Sequence, residues 1–498
     1  MDPAFANIQA NIWVISQLYN GLVQQDDSLH IKPCIATWWQ ISPDGKEYIF
    51  HLRNDVYFTD NEVFSNGKGR KVTASDFRYS FLRLVSKDVA SPGKWLFNDK
   101  VDTTAPGRGF EALNDSAFRI TLKNPFPPFL QLLGMQYCSV VPHEAIEKYG
   151  KDFRSHPVGT GPFKLNYYDE GEKLVFGKNP GYFETPLPYI DGVDISFTPG
   201  RQNEFFSFVK GDLDYVSGID PSFKDNLLTR NGELKEKFTG KFQFQKSPYL
   251  NTEYFGIVVD SNIAKGSPLV NKYIRQAMNY GIDREKMLKF LRNNIGTPGN
   301  YGFVPPSLPP FDKNKKIYYD YNPDMAKELL AKSGYPEGHG LPEIKLTTTA
   351  NYQDLAVFVQ RELQDIGINI KIEIVLPPTL SDWKVHGKTS FFRASWVADY
   401  ADAENYLSLF YSKNEAPNGP NYFHFKNAEF DVLYLNSQNM VDEARRDSLY
   451  VKMQDIVMDE APFIVLYYDE VVRLESNRVK GLNPNPLNSI NLKTVRLQ

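Results

Sequence analysis

Two cysteines in 498 residues are too few to build a disulfide framework. They cannot complete a tetrahedral metal site without other donors, and neither Cys34 nor Cys138 has a Cys or His partner at ligand spacing. Both are expected to be buried, inert thiols; the alternative is a disulfide between them. No apolar run approaches the ~20 residues needed to span a bilayer. The chain also lacks a strong charge of either sign. With 56 Lys and Arg against 60 Asp and Glu, the formal net charge is −4. Phosphate-backbone binding needs clustered cations, so nucleic acid is not an expected partner. No charged leader or maturation site precedes Asp2-Pro3, an abrupt start that reads as trimmed.

Catalytic signatures are missing too. There is no G-x-S-x-G elbow, no Walker A loop and no complete G-x-G-x-x-G. Gly159-Thr160-Gly161 runs into Pro162-Phe163, which does not suit a phosphate cradle. Glu147 stands where His143-Glu144 would need a second histidine for a zinc-protease helix. The other histidines are scattered singly, and the acid pair Asp212 and Asp214 reads as a solvated strand face. The sequence therefore predicts no enzyme, no metal and no cofactor.

What is present points to a large folded protein. A chain of this length is expected to form two or more lobes, since domains run to ~100–200 residues. Aromatics reach 14 %, predicting large cores or extended ligand-contact surfaces. Lys46 to Leu52 alternates as a strand after the turn Ser42-Pro43-Asp44-Gly45. Thr73 to Val85 reads as a helix, with Thr73 and Asp76 as a carboxylate capping box and Phe77, Phe81, Leu84 and Val85 as its apolar stripe. One helix is predicted from Pro268 to Tyr280, capped by Ser267, and another from Asn322-Pro323 to a stop at Gly334.

The stretch from Glu343 to Tyr400 is the most informative. It gives a strand at 344–349, a helix through Leu355, Val359 and Leu363 that Gly367 ends, and an alternating strand Ile368, Ile370, Ile372, Ile374. A short helix around 381–386 and the aromatic strand 391–396 follow. This β-α-β-α-β order predicts a parallel or mixed sheet. Ligands bind just beyond the carboxyl ends of such strands, where Ala398-Asp399-Tyr400 falls.

Several motifs together resemble one family. They are Asp2-Pro3, Leu18 to Leu22 (LYNGL), Ile31 to Trp38 (IKPCIATW), Ser42 to Arg53, Val72 to Phe77, Pro157 to Phe163 (PVGTGPF), Ile274 to Tyr280 with Ile282-Asp283-Arg284, Leu329 to Pro336 (LLAKSGYP) and Ala461 to Tyr468. In that order they resemble the extracellular solute-binding proteins of family 5, the oligopeptide-, dipeptide- and nickel-binding proteins of ABC importers. The resemblance implies an α/β fold of two lobes (type II, cluster C) around a ligand cleft that closes on its solute. Lobe I would take 1–246 and 471–498, with an inserted subdomain at about 36–160. Lobe II would take 247–470.

The resemblance also implies the peptide-binding branch. Phe392 to Tyr400 (FRASWVADY) matches that branch's motif, in which the Asp pairs with a peptide's α-ammonium; here it is Asp399. The alternative for Asp399 is a helix cap, since 401–410 can be helical. Arg393 would help neutralise the ligand's carboxylate, or else form an internal ion pair. Trp396 would form a wall. Ser395, Val397, Tyr400, Tyr19 and Asn20 complete the implied site. Asn20 stands where the family has a glutamate, which removes a cationic side-chain contact from that position. The expected partners are a peptide ligand and a membrane permease. The expected place is the bacterial periplasm or cell surface, as a monomer peripheral to the membrane, with any lipid anchor upstream of this chain. Other readings are an oligosaccharide, opine or chelated-nickel binder on the same fold, a peptide-holding chaperone, or a peptidase.

Overall fold

A computed structural model of the protein describes residues 1–219, 223–312, 314 and 316–498. The chain divides into two units. The first takes Met1–Asp220, Gly240–Lys246 and Val472–Gln498; the second takes Pro221–Thr239 and Ser247–Val471. Residues 221–239 had been expected in the first lobe, and side-chain bonds explain their grouping with the second unit. Lys224 donates to Asn293 Oδ1 at 2.7 Å, and the Asn293 amide donates to Asp225 at 3.0 Å and to the Thr229 carbonyl at 3.1 Å.

In the first unit, the strands Ala36–Ile41, Glu47–Leu52, Ala117–Thr121 and Phe110–Asn114 form an antiparallel sheet in that order. Alternation along Glu47–Leu52 turns Tyr48, Phe50 and Leu52 inward. The helix Ala74–Val85 covers this sheet and begins as its sequence implies. Asp76 reaches back to accept the Thr73 N–H at 2.8 Å. The same carboxylate takes two bonds from Arg70, at 2.7 and 2.9 Å, which fixes the cap in place. Phe77, Phe81, Phe97, Phe110 and Phe118 meet between helix and sheet at centroid distances of 5.0–6.0 Å. Much of the aromatic richness is thus spent on core packing. Cys34 and Cys138 are free and buried. Burial pushes the Cys34 thiol up to about 12 and raises that of Cys138 as well, so both stay protonated and unreactive.

A larger sheet contains the Glu343 to Tyr400 stretch. Its order is Tyr215–Ser217, Phe463–Glu475, Gln243–Ile257, Phe391–Val397, Ile344–Thr348 and Ile370–Ile374. Residues 215–217 pair with 473–475 inside the first unit. In the second unit, Ile344–Thr348 runs parallel to Ile370–Ile374 and to the 391–397 strand, while 391–397 is antiparallel to 251–257. The sheet is mixed. Ile370–Ile374 lies at its edge, so burial fades along it: Ile370 is buried and Ile374 is 45 % exposed. The helix expected from 268 to 280 is broken. Ser267 caps a short 3-10 turn, Pro268–Val270; the Asn271 side chain then accepts the Tyr273 N–H and starts a new helix, Lys272–Tyr280.

Two arginines of the recurring motifs are buried in this unit and face backbone carbonyls. Arg284 donates to the carbonyls of Val465 at 2.6 Å and Asn279 at 2.9 Å, and to Asn279 Oδ1 at 2.9 Å. Arg275 donates to the carbonyls of Leu269, Val270 and Glu460 at 2.6–2.9 Å. They bind carbonyls at helix ends and in the strand Phe463–Glu475. Arg284→Met removes these bonds from buried acceptors, at about 1–3 kcal/mol per group left unsatisfied. We expect a loss of about 3 kcal/mol, read as a lower urea midpoint. An unchanged midpoint would show that Arg284 is not a structural clamp.

Candidate functional site

The strand Phe391–Val397 organises the candidate site in the second unit. Its register places Phe255 opposite Arg393, Glu253 opposite Ser395, Thr252 opposite Trp396 and Asn251 opposite Val397. Glu253 is therefore the diagonal cross-strand neighbour of Arg393. The two form a fork: Arg393 Nε and Nη2 donate to the two Glu253 oxygens at 2.5 and 2.6 Å. The Glu253 side chain is only 2 % exposed and that of Arg393 15 %. The Arg393 guanidinium also lies 3.3 Å from the Tyr352 ring centroid. Burial pushes the Glu253 carboxyl up to about 7, with the Arg393 charge opposing that rise. Burial also works against the Arg393 charge, but the Glu253 carboxylate outweighs it and holds that pKa above its usual value. Arg393 is thus an internally paired residue.

A second pair lies within electrostatic reach of Glu253. Arg292 Nη2 meets Asp469 Oδ1 at 2.5 Å, and its Nη1 donates to the Tyr467 hydroxyl at 3.0 Å. Lys384, on the helix Pro377–Val385, is close enough for Arg393 and Glu253 to influence its charge. Sequence reasoning missed Glu253, Arg292, Asp469 and Lys384. Their motif partner is over a hundred positions away in some cases, and Glu253 and Arg393 are separated by 140 residues.

Beyond the strand, one buried asparagine sets the geometry. Asn405 Oδ1 accepts from Trp396 Nε1 at 2.9 Å and from the Asp399 N–H at 3.2 Å. Its Nδ2 lies 3.4 Å from Asp399 Oδ2. Asp399 is solvent-accessible, but its carboxylate is set among enough protein to raise its pKa; the Asn405 bond opposes the rise. No ion pair reaches Asp399 among the described residues. It does not cap the following helix either: Asp402 accepts the Glu404 N–H at 2.9 Å, where the helix Glu404–Leu407 begins. Asp402 is half-buried and also accepts from the Tyr450 hydroxyl at 2.9 Å.

The remaining expected site residues fall in different places. Trp396 and Ser395 are half-buried and Val397 is 41 % exposed. Tyr400 corrects the expectation. It is 5 % exposed, with its hydroxyl bound to Glu404, so packing claims it. Tyr19 is likewise core: 2 % exposed, its hydroxyl donating to the Met1 carbonyl at 3.2 Å and its ring edge-on to Phe153. Asn20 is half-buried in the first unit and accepts from the Thr160 hydroxyl at 3.1 Å. A separate concavity of about 300 Å³, lined by Tyr280, Tyr318, Met325 and Asp455 among others, contains none of these residues. Its polar groups bond one another, as in Tyr318 to Asp455 at 2.8 Å. Among the described residues no His, Cys, Asp and Glu cluster is arranged to hold a metal, and no helix is long and apolar enough to cross a membrane.

Comparison with known proteins places these features in a family. Residues 30–418 match the family described as bacterial extracellular solute-binding proteins, family 5. The chain belongs to that family. It is a solute-binding protein of the class that serves ABC importers. It is 26 % identical over 512 residues to the glutathione-binding protein GsiB of Shigella dysenteriae, covering 100 % of this chain and 92 % of the relative. Among solved structures it resembles the ABC transporter-associated periplasmic binding protein DppA from Helicobacter pylori, solved in complex with the peptide STSA. The identity is 28 %, the TM-score 0.77, and the coverage 100 % of this chain and 95 % of that one. HbpA2 from Haemophilus parasuis shares the fold, with 22 % identity, a TM-score of 0.87 and coverage of 100 % and 97 %.

The Arg393–Glu253 fork gives a sharp expectation. Arg393→Met strands a carboxylate in the sheet interior and should cost about 3–5 kcal/mol, whereas Arg393→Met with Glu253→Gln should recover most of that loss. Urea unfolding of the single and double variants checks this. Additive losses would mean that the two side chains do not act as a pair.

Proposed function

We propose that the protein captures a short peptide by its free α-ammonium and delivers it to an ABC-importer permease, in the periplasm or at the cell surface. The observation that carries this reading is Asp399. Its carboxylate is reachable, oriented by Asn405, partly desolvated, and paired with no cation among the described residues. An accessible carboxylate with no cationic partner of its own can take one from a ligand. An ammonium suits it, because three N–H donors can share two carboxylate oxygens and Asn405 leaves one of those oxygens unbonded. The Trp396 ring, held by the same asparagine, adds an apolar wall beside the charge.

The comparisons support the same class of ligand. The Helicobacter neighbour was solved with a peptide, and the Shigella relative is named for glutathione, itself a tripeptide with a free α-amino group. A reader of the α-amine should accept many sequences, because side chains can sit in wet pockets while the main chain supplies affinity.

Calorimetry with short peptides and with glutathione tests this. Asp399→Asn should weaken binding by about 3–5 kcal/mol, the scale for breaking a desolvated charge pair. Acetylation of the peptide's N-terminus should weaken binding to the wild type by a similar amount. Equal affinity of the wild type for acetylated and free peptides would remove Asp399 from ammonium recognition. Tight binding of an uncharged sugar would replace the peptide reading altogether.

A further inference from the structure

The strand Ile370–Ile374 has a partner on one side only. It pairs in parallel with Ile344–Thr348 and ends the order of the larger sheet. The bonds flanking this pairing fix its phase. The Ile344 N–H donates to the Asn369 carbonyl at 3.0 Å, and the Val375 N–H donates to the Thr348 carbonyl at 2.9 Å. Odd-numbered residues therefore turn their main-chain groups toward 344–348, while Ile370, Ile372 and Ile374 turn theirs outward. Of these groups, the Ile370 carbonyl accepts from Gln360 Nε2 at 2.6 Å and keeps a second lone pair. An outward row of N–H and C=O groups is a template for another strand.

The side chains select which strand. Ile-Lys-Ile-Glu-Ile alternates apolar and charged residues, and Lys371 and Glu373 share one face. Lys371 is exposed and forms no ion pair among the described residues. Glu373 is half-buried and meets Lys345 of the neighbouring strand at 3.2 Å. Laid antiparallel against a second copy of itself, with the two-fold axis at Ile372, this segment is self-complementary. Ile372 faces Ile372 and Ile370 faces Ile374, so the outward-turned residues exchange their main-chain bonds. Lys371 then faces Glu373 of the second copy in a non-hydrogen-bonded pair, where side chains approach most closely. Shifting the axis by one residue sets Lys371 against Lys371, or Glu373 against Glu373, and like charges repel. On the other face, Ile374, 45 % exposed, comes to lie beside the buried Ile370 of the second copy.

We infer that two copies of this chain pair along Ile370–Ile374, so that the mixed sheet continues across a two-fold axis. Charges on a strand edge ordinarily ward off a neighbouring strand. Here one of each sign, two residues apart, instead selects an identical strand in a single register. An edge of five residues makes a small interface, so the association is weak and concentration-dependent. It replaces the monomer implied by the family resemblance and does not depend on the reading of Asp399.

Sedimentation velocity on the full chain, over a concentration series reaching about 1 mM, tests this. The wild type should pass from monomer to dimer as concentration rises, and less so at high salt. Lys371→Glu and Glu373→Lys each place like charges across the axis, so each alone should stay monomeric. Mixed in equal amounts they should dimerise again, because both glutamates of one variant then face lysines of the other. That recovery also shows that both variants are folded. Hydrogen exchange reads the same edge in the wild type without any substitution: the Ile372 and Ile374 amides should gain protection as protein concentration rises. A wild type that stays monomeric throughout, or a dimer that survives either single substitution undiminished, overturns the inference. So does edge protection that follows an added extended peptide and not protein concentration, which would make the occupant a peptide strand.

Discussion

The second unit depends on one buried contact, the fork of Arg393 on Glu253. Two charges in the middle of a sheet are tolerated only because each meets the other in two short, parallel bonds. The pair also sets register. A slip of one residue between the 251–257 and 391–397 strands would turn Glu253 to the opposite face and leave both charges alone. With register fixed, the end of the 391–397 strand is fixed too. Trp396, Asn405 and Asp399 take their positions from that end.

Local features were the legible part of the fold. The Thr73 and Asp76 cap, the stop at Gly334 and the β-α-β-α-β order between 343 and 400 each depend on neighbours within a few turns or one crossover. The break at Asn271 was missed because the apolar spacing runs straight through it, while a single side-chain oxygen chooses a new helix start. At the site, Asp399, Arg393 and Trp396 could be named from a nine-residue motif. Their fates could not. Whether an arginine is free or already paired depends on a residue 140 positions away, and nothing in the local pattern around Glu253 marks it as the partner. Tyr400 and Tyr19 were misplaced for a related reason: tyrosine suits both a ligand wall and a core with its hydroxyl satisfied, and only the fold decides.

The structure separates two uses of buried charge. Arg275 and Arg284 spend theirs on main-chain carbonyls, and Asp402 takes a backbone N–H and a tyrosine hydroxyl. These groups are internally complete. Asp399 differs: it is exposed, and its carboxylate meets only Asn405 among the described residues. The distinction lies in hydrogen-bond accounting, since all four residues are charged.

The first unit is closed by contacts between distant parts of the chain. In the helix Gln9–Leu18, Trp13 donates to the Asn488 carbonyl, and Gln17 donates to the Ile490 carbonyl, 473 residues away. The second unit is made largely from one continuous stretch, 247–471. As the chain is made, that stretch emerges whole before the C-terminal residues do, whereas the opening helix lacks these partners until residues near 490 appear. The order of assembly is thus written into the connectivity. The contacts of the unit containing Asp399 can form before the first unit is closed.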